Sequence, residues 1–449
     1  MKEPNRGHPT RPADPHGAGR GGGERRGRLF TRNFTLLILG QVSSLTGNFT
    51  LKFALSMYVL ERTGSATLFA SLLAAAMVPT IVLSPFGGLM ADRVDRRRLM
   101  VALDVLSGLA VLLAALALPL GGELLRIGAL LVVLAVLSAL ESPTVLACVP
   151  QMLAGEQLMR GNAAVNQVQA VATLLTPFLG SAVYAAFGLA PVMWGAAACF
   201  LLTAALERHI RLPGPPPGRV QSIRAAVRED AARSLYFLRR EQPGIWKLLL
   251  LAALASMFMV GTAVVGLPYL VRTVLGLPAG YYGAAESAMG ATSILGALMV
   301  GLLAGRLRLR HLAGVLAGCG LCLIPAGAAF ALPLGSGGRY GVLLAMSCLC
   351  QLGCSVFSTC AMTAIQQRTP QHLMGKVMAM VYTLSLCAQP AAQLVYGLLF
   401  DRLAQAPEWV LMPSGLALCA VAAASARFLA GLERAGAALT PAGSRSSNR

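Results

Sequence analysis

The chain has 449 residues, 56% of them hydrophobic and only 12% charged, with a mean hydropathy of +0.67. A soluble domain is about a quarter charged, and halving that share removes the polar coat that water requires, so soluble, disordered, collagen-like and coiled-coil classes are excluded and an integral membrane protein remains. The net charge of +19, from 37 Lys and Arg against 18 Asp and Glu, lies in tails and loops, which points to anionic lipid headgroups as a partner and away from nucleic acid.

The first 32 residues are rich in Arg, Gly and Pro and have no apolar core before Phe34. They read as a disordered basic tail, not a cleavable signal peptide. Windows of about 20 apolar residues, enough to cross a hydrocarbon core of about 30 Å, then recur near 34–60, 66–90, 98–120, 127–150, 160–187, 190–210, 245–270, 280–304, 312–333, 340–365, 374–400 and 408–430. Backbone polar groups in lipid must be satisfied within the segment, so these are predicted helices of an all-α membrane protein. Thirty-one of the 37 Lys and Arg fall in the tails and in the loops after even-numbered spans; five, Arg62, Arg126, Arg272, Arg339 and Arg402, fall in the opposite loops. That bias predicts a multi-pass protein of the cell inner (plasma) membrane with both termini in the cytoplasm.

Gly88 begins Gly-Leu-Met-Ala-Asp-Arg-Val-Asp-Arg-Arg-Arg, and Gly301 begins Gly-Leu-Leu-Ala-Gly-Arg-Leu-Arg-Leu-Arg. Leu158-Met159 answers to Leu373-Met374, Pro177 to Pro390, and Val183-Tyr184 to Val395-Tyr396, at nearly the same offset. An offset of about half the chain predicts two duplicated six-helix bundles in the same orientation, a parallel transporter repeat. The expected organisation is a basic tail over 1–32, an N-terminal bundle over 33–210, a linker over 211–243, a C-terminal bundle over 244–432 and a second disordered tail over 433–449. Within the linker, Leu-Pro-Gly-Pro-Pro-Pro-Gly stops the helix. Val220, Ile223, Val227, Ala231, Leu235 and Leu238 then recur at helical spacing among arginines, as in an amphipathic helix on a membrane surface.

The ten cysteines lie inside or at the edges of apolar stretches, where a thiol serves as a small hydrophobe. Cys319 and Cys322 have CxxC spacing but no further polar ligands in sequence, so neither a disulfide framework nor a metal is expected. All five histidines fall outside or at the edge of the spans, against a histidine proton relay.

Together these residues resemble the major facilitator superfamily from about Asn33 to Leu432. Gly88 to Arg97 is similar to the family's loop 2–3 signature, with Asp95 where the second glycine usually stands. The resemblance implies a cytoplasmic latch made by Gly88, Asp92, Arg93, Arg96, Arg97 and, one and a half turns into span 3, Asp104. Ala172, Thr176, Pro177, Gly180 and Ser181 resemble a degraded antiporter signature, in which Pro177 and Gly180 would kink and pack span 5. The arginine common in span 4 of the family is absent. Asn33 to Ser65 and Ser234 to Pro243 further resemble the enterobactin and macrolide exporter branch, whose transport is proton-driven antiport; the Asp usual near Asn48 and the Arg usual near Ser107 are replaced here.

Four ionisable residues were expected inside spans, where a charge near the bilayer centre costs at least about 2.5 kcal/mol and therefore faces a wet cavity or a partner. Glu141, beside Ser142-Pro143 in span 4, is a candidate coupling or substrate residue, or a hydrogen-bonded structural acid. Glu286 and Lys52 are expected in the outer half, where they either pair as an outer gate or, for Lys52 above all, reach the interface. Asp104 is assigned to the latch. Asn48 is a further candidate, and Gln41, Asn166, Gln167, Gln169, Gln351, Gln389, Gln393, Phe53, Tyr382 and Tyr396 are polar or aromatic side chains that could line a passage. No phosphate loop is present, so no nucleotide or other cofactor is expected, and the energy must come from an ion gradient, expected to be that of protons, or from the substrate's own gradient. The expected function is secondary transport by alternating access: proton-coupled efflux of an amphipathic small molecule by a monomer that is not an enzyme. Nutrient uptake or facilitated diffusion, and a non-transporting sensor, are the alternatives.

Overall fold

The computed structural model describes residues 29–154, 156–212, 236, 239–240, 242–303, 308–370 and 374–438, with the side chains of 84–93, 156, 375–376, 379 and 435–438 left aside. Residues 1–28 and 439–449 of the expected tails, Gly88, Asp92 and Arg93 as side chains, and nearly all of the amphipathic linker stretch thus lie outside the described residues; the second tail was expected from 433, but the last helix continues to Ala438, and Glu433 within it accepts from the Arg310 N–H at 3.0 Å.

Among the described residues, twelve helices are long and apolar enough to cross a membrane. They are α1 (Arg32–Thr63), α2 (Ala66–Arg93), α3 (Arg96–Ala117), α4 (Glu123–Met152), α5 (Glu156–Phe187), α6 (Leu189–Glu207), α7 (Pro243–Val260), α8 (Ala279–Leu302), α9 (Leu312–Ala331), α10 (Ser336–Arg368), α11 (Met374–Arg402) and α12 (Glu408–Ala438). The start of α1 and the end of α12 define a terminal face; the ends of odd-numbered helices define the opposite, distal face.

Local chemistry sets several boundaries. Thr31 caps α1 by accepting from the Phe34 N–H, and Gly64, at φ 61°, ends it in the left-handed region that glycine enters at no steric cost. Asp95, the departure from the family's glycine, caps α3: its carboxylate accepts from the Arg98 N–H at 3.3 Å. The loop signature therefore keeps its turn by a different residue.

Helix α7 does not end at Val260. It continues through a π turn, Gly261–Gly266, one α turn, Leu267–Tyr269, and a second π turn, Leu270–Val274. A Cβ on Gly261 would run into the Tyr396 ring, and one on Gly266 would stand 2.8 Å from the Phe400 ring. The glycines let two aromatic residues of α11 lie on the backbone of α7, and wide turns of this kind recur at functional sites.

In the N-terminal half α1 packs on α5 and α6, α2 on α4, and α3 on α4 and α6; in the C-terminal half α9 packs on α10 and α12, α8 on α10, and α7 on α11. The halves meet where α2 crosses α11 and α5 crosses α8. At the second crossing Gly283 lies against Ser181 and the Pro177 carbonyl, while Gly180 lies on Thr50 of α1. Helix α5 runs unbroken from Glu156 to Phe187 through Pro177.

Candidate functional site

Spacing along α1 creates the site. Ser44, Asn48 and Lys52 are four residues apart, and on a helix such residues share one face. That face looks at α4, where Ser138, Glu141 and Ser142 stand at matching depth. The Ser44 hydroxyl lies 3.3 Å from Glu141 Oε1 and 3.5 Å from Asp104 Oδ1. Asn48 donates to Ser138 Oγ at 3.4 Å. Lys52 and Ser138 line a cavity of about 560 Å³, shared with Val264, Tyr382 and Gln393 of the C-terminal half. Its wall is otherwise mostly apolar. Glu141, only 9% exposed, sits behind that wall, and Lys52 acts on it by Coulomb attraction without a direct ion pair.

Behind Glu141 two more carboxyl groups are enclosed. Asp104 is fully buried, and Glu207, at the end of α6, is 1% exposed. The two face each other, and Glu207 also feels Glu141. Among the described residues, Asp104 Oδ2 and both Glu207 carboxyl oxygens have no hydrogen-bond donor. Ser44 has one proton to give. At 3.3 and 3.5 Å it can give that proton to either carboxyl, one at a time, and so stands between Glu141 and Asp104.

Asp104 and Lys52 both depart from their expected places. Asp104 does not join the arginines of the latch; eight residues into α3, roughly 12 Å from its start at 1.5 Å per residue, it turns inward to Ser44. Lys52 neither reaches the distal interface nor pairs with Glu286. It lies eleven residues before the end of α1, roughly 16 Å, and the next residue, Phe53, about 100° further round the helix, is the one that meets α8 by stacking on Tyr282 at 5.3 Å. Glu286 stands half-buried one turn from Tyr282. Of the latch residues whose side chains are described, Arg96 donates to the Ala147 carbonyl of α4 at 2.8 Å, and Arg97 is half-buried. Tyr396 lies against Gly261 and donates to Ser414 Oγ, away from the cavity.

The distal face carries a clasp that the sequence reading missed. Glu61, at the end of α1, takes both the Arg272 guanidinium of the other half, at 2.9 and 3.0 Å, and the Tyr184 hydroxyl at 2.7 Å. Asp401, at the end of α11, accepts from Ser65 Oγ at 2.6 Å and from the N–H groups of Ala66 and Thr67 at 2.7 and 2.9 Å. One half thus supplies a carboxylate to the exposed N-terminus of α2 in the other, where unsatisfied N–H groups and the helix dipole favour negative charge. The two halves are thus joined at the distal face.

The family model for the major facilitator superfamily matches residues 37–389. Macrolide efflux protein A of Streptococcus pyogenes is 22% identical over 392 residues, 86% of this chain and 93% of that protein. The multidrug efflux pump Tap of Mycobacterium tuberculosis is 26% identical over 381 residues, 82% of this chain and 86% of that one. In structure, a bacterial homologue of the iron transporter ferroportin, solved in an inward-facing state, superposes with a TM-score of 0.67 at 18% identity over 88% of this chain and 98% of that one; at that identity the likeness concerns the fold. The chain belongs to the major facilitator superfamily, and it is a multi-pass membrane transporter, not an enzyme.

Proposed function

We propose that this chain is a proton-coupled exporter of amphipathic small molecules, working by alternating access in the plasma membrane with both termini in the cytoplasm. The observation that carries the proposal is Glu141: a buried carboxyl group just behind the wall of a cavity lined from both halves, linked through Ser44 to Asp104 and opposed by Lys52 on that wall. A proton arriving at Glu141 cancels the charge that faces Lys52. The charge behind the cavity wall then changes by one unit in a medium of low dielectric, which links proton loading to cargo binding as a coupling free energy.

The cavity volume and mostly apolar lining suit a drug-sized amphipath, and the names of the macrolide and multidrug efflux relatives support that cargo class. With the terminal face in the cytoplasm, a closed distal clasp would correspond to an inward-facing form. Rocking of the halves about the α2–α11 and α5–α8 crossings would break the clasp and open the cavity outward.

The test is transport in proteoliposomes with an imposed pH gradient, using a macrolide and a fluorescent cationic dye as cargo. Glu141→Gln is expected to abolish gradient-driven flux while cargo still binds. Undiminished flux in that variant would remove Glu141 from the mechanism.

A further inference from the structure

Sulfur gathers at one point in the C-terminal half. The Sγ atoms of Cys319 on α9 and of Cys350 and Cys354 on α10 all lie within 4.8 Å of one another. A fourth sulfur completes the group: Cys350 Sγ is 3.4 Å from Sδ of Met259, in the last turn of α7. This is the one cluster of three metal-binding side chains among the described residues.

The backbone makes room for it. Gly353 stands between Cys350 and Cys354, and a Cβ there would lie 2.6 Å from Cys319 Sγ. Cys319, Cys354 and Met259 also border a cavity of about 190 Å³ that continues past Ser358, Met362 and Ser385, and Met362 is 38% exposed. A mostly apolar path, with the Ser358 and Ser385 hydroxyls and the Met362 thioether along it, therefore leads to the cluster.

We propose that Cys319, Cys350, Cys354 and Met259 form a binding site for a monovalent, thiophilic metal ion of the Cu(I) and Ag(I) class, independent of the cargo cavity. Metal–sulfur bonds of about 2.3 Å in a trigonal site place sulfurs roughly 4 Å apart, so the observed spacing closes on an ion by small side-chain rotations. Soft thiolate and thioether donors select soft ions, and a thioether is a poor ligand for hard cations. A monovalent ion is neutralised by a single thiolate, with the remaining sulfurs as neutral donors, which keeps net charge out of the apolar interior. Binding releases the displaced thiol proton. The bound ion would tie α7 to α9 and α10 immediately before the π turns that lead to Arg272.

The experiment is a Cu(I) titration of the purified, reduced protein in detergent under anaerobic conditions, in competition with a chromogenic Cu(I) chelator. X-ray absorption follows on the product. About one equivalent bound, surrounded by sulfur alone, is expected. Cys319→Ser with Cys350→Ser and Cys354→Ser should lose it, Met259→Leu should weaken it about tenfold or more, and Cys322→Ser with Cys348→Ser and Cys360→Ser should retain it. Should the first triple variant fail to fold, Met259→Leu and the protection of these three thiols from alkylation by Ag(I) carry the test. Failure to compete with the chelator, equal binding by the cluster variants, or oxygen and nitrogen around the metal would overturn the site, as would recovery of the cluster as a disulfide that no reductant opens. None of these outcomes bears on Glu141.

Discussion

Replacing Asp401 by Ala should unlock the distal face. Asp401 makes three hydrogen bonds across the interface between the halves, at 2.6, 2.7 and 2.9 Å, and bonds to an ionised partner contribute roughly 1.5–3 kcal/mol each when both ends are shielded from water. Two facts lower the total. The freed N–H groups of Ala66 and Thr67 return to water when the halves part, and Ser65 already caps α2 by accepting from the Leu68 N–H at 3.1 Å. A net loss of about 2–4 kcal/mol for the distal-closed form follows, which is roughly a 30- to 1000-fold shift in the equilibrium between conformers. Single-molecule energy transfer between labels at the exposed distal glycines Gly121 and Gly335 would report the distance across that face. Asp401→Ala is expected to populate a longer distance, and Asp401→Asn, which keeps one acceptor oxygen, a smaller share of it. An unchanged distance distribution in Asp401→Ala, in protein of unchanged melting temperature, would refute the idea that this carboxylate holds the halves together.

Arg272→Met should act in the same direction, because it leaves Glu61 with the Tyr184 hydroxyl alone; the effect should add to that of Asp401→Ala within about 0.5 kcal/mol, as expected of separate contacts, measured by the same energy transfer. Gly261→Ala should lower thermal stability by about 1–3 kcal/mol from overpacking against Tyr396, and Tyr396→Leu should restore most of the loss in a detergent melt. Glu207→Gln gives Asp104 an amide donor in place of a donorless carboxyl, so the melting temperature should rise by an amount equivalent to about 1–2 kcal/mol. If Glu207 serves the proton pathway, efflux driven by a pH gradient should fall in the same variant; retained efflux would confine it to a structural role.

Long-period features were legible in the sequence because each is written in many residues at once. The twelve apolar windows, the half-chain offset and the matched loop motifs give the same fold, and the family match agrees with it. Glu141 was legible as a single charge far from any loop. Its neighbours were not equally so. Asp104 stands near Arg96, Arg97 and Arg98 in sequence, and proximity along the chain suggested an ionic latch; on the helix its face points to Ser44 instead. Glu207, next to Arg208 and His209 in sequence, is not among the candidates the sequence singles out. A signal was present: Ala196, Phe200, Thr203 and Glu207 follow helical spacing and all are buried, so the apolar face of α6 already aimed Glu207 inward. Glu61 with Arg272, and Asp401 with the start of α2, join positions more than 200 residues apart, and no local pattern in one sequence records such a pairing.

Helix α1 ties these features into one device. Its Ser44, Asn48 and Lys52 face the acid cluster and the cavity, its Phe53 stacks on α8, and its last turn carries Glu61 into the clasp. From Ser44 to Glu61 is seventeen residues, roughly 26 Å of continuous helix, and a helix transmits displacement along its axis with little loss because its backbone bonds run parallel to that axis. A change of charge at Glu141 alters what Ser44 and Lys52 can satisfy, and a small rotation of α1 in response moves Glu61 relative to Arg272 on the other half. Coupling of this kind needs a two-state element that both sites bias. The clasp supplies it, since a guanidinium that sets two nitrogens on one carboxylate oxygen is either docked or released. A helix-breaking substitution between the two sites, Met57→Pro in α1, would then be expected to leave cargo binding measurable while uncoupling it from the distal distance, whereas the conservative Met57→Leu should preserve the link. If Met57→Pro protein that still binds cargo also retains the proton-dependent change in distance, α1 is not the connecting rod, and the link must run through α4 and α2 instead.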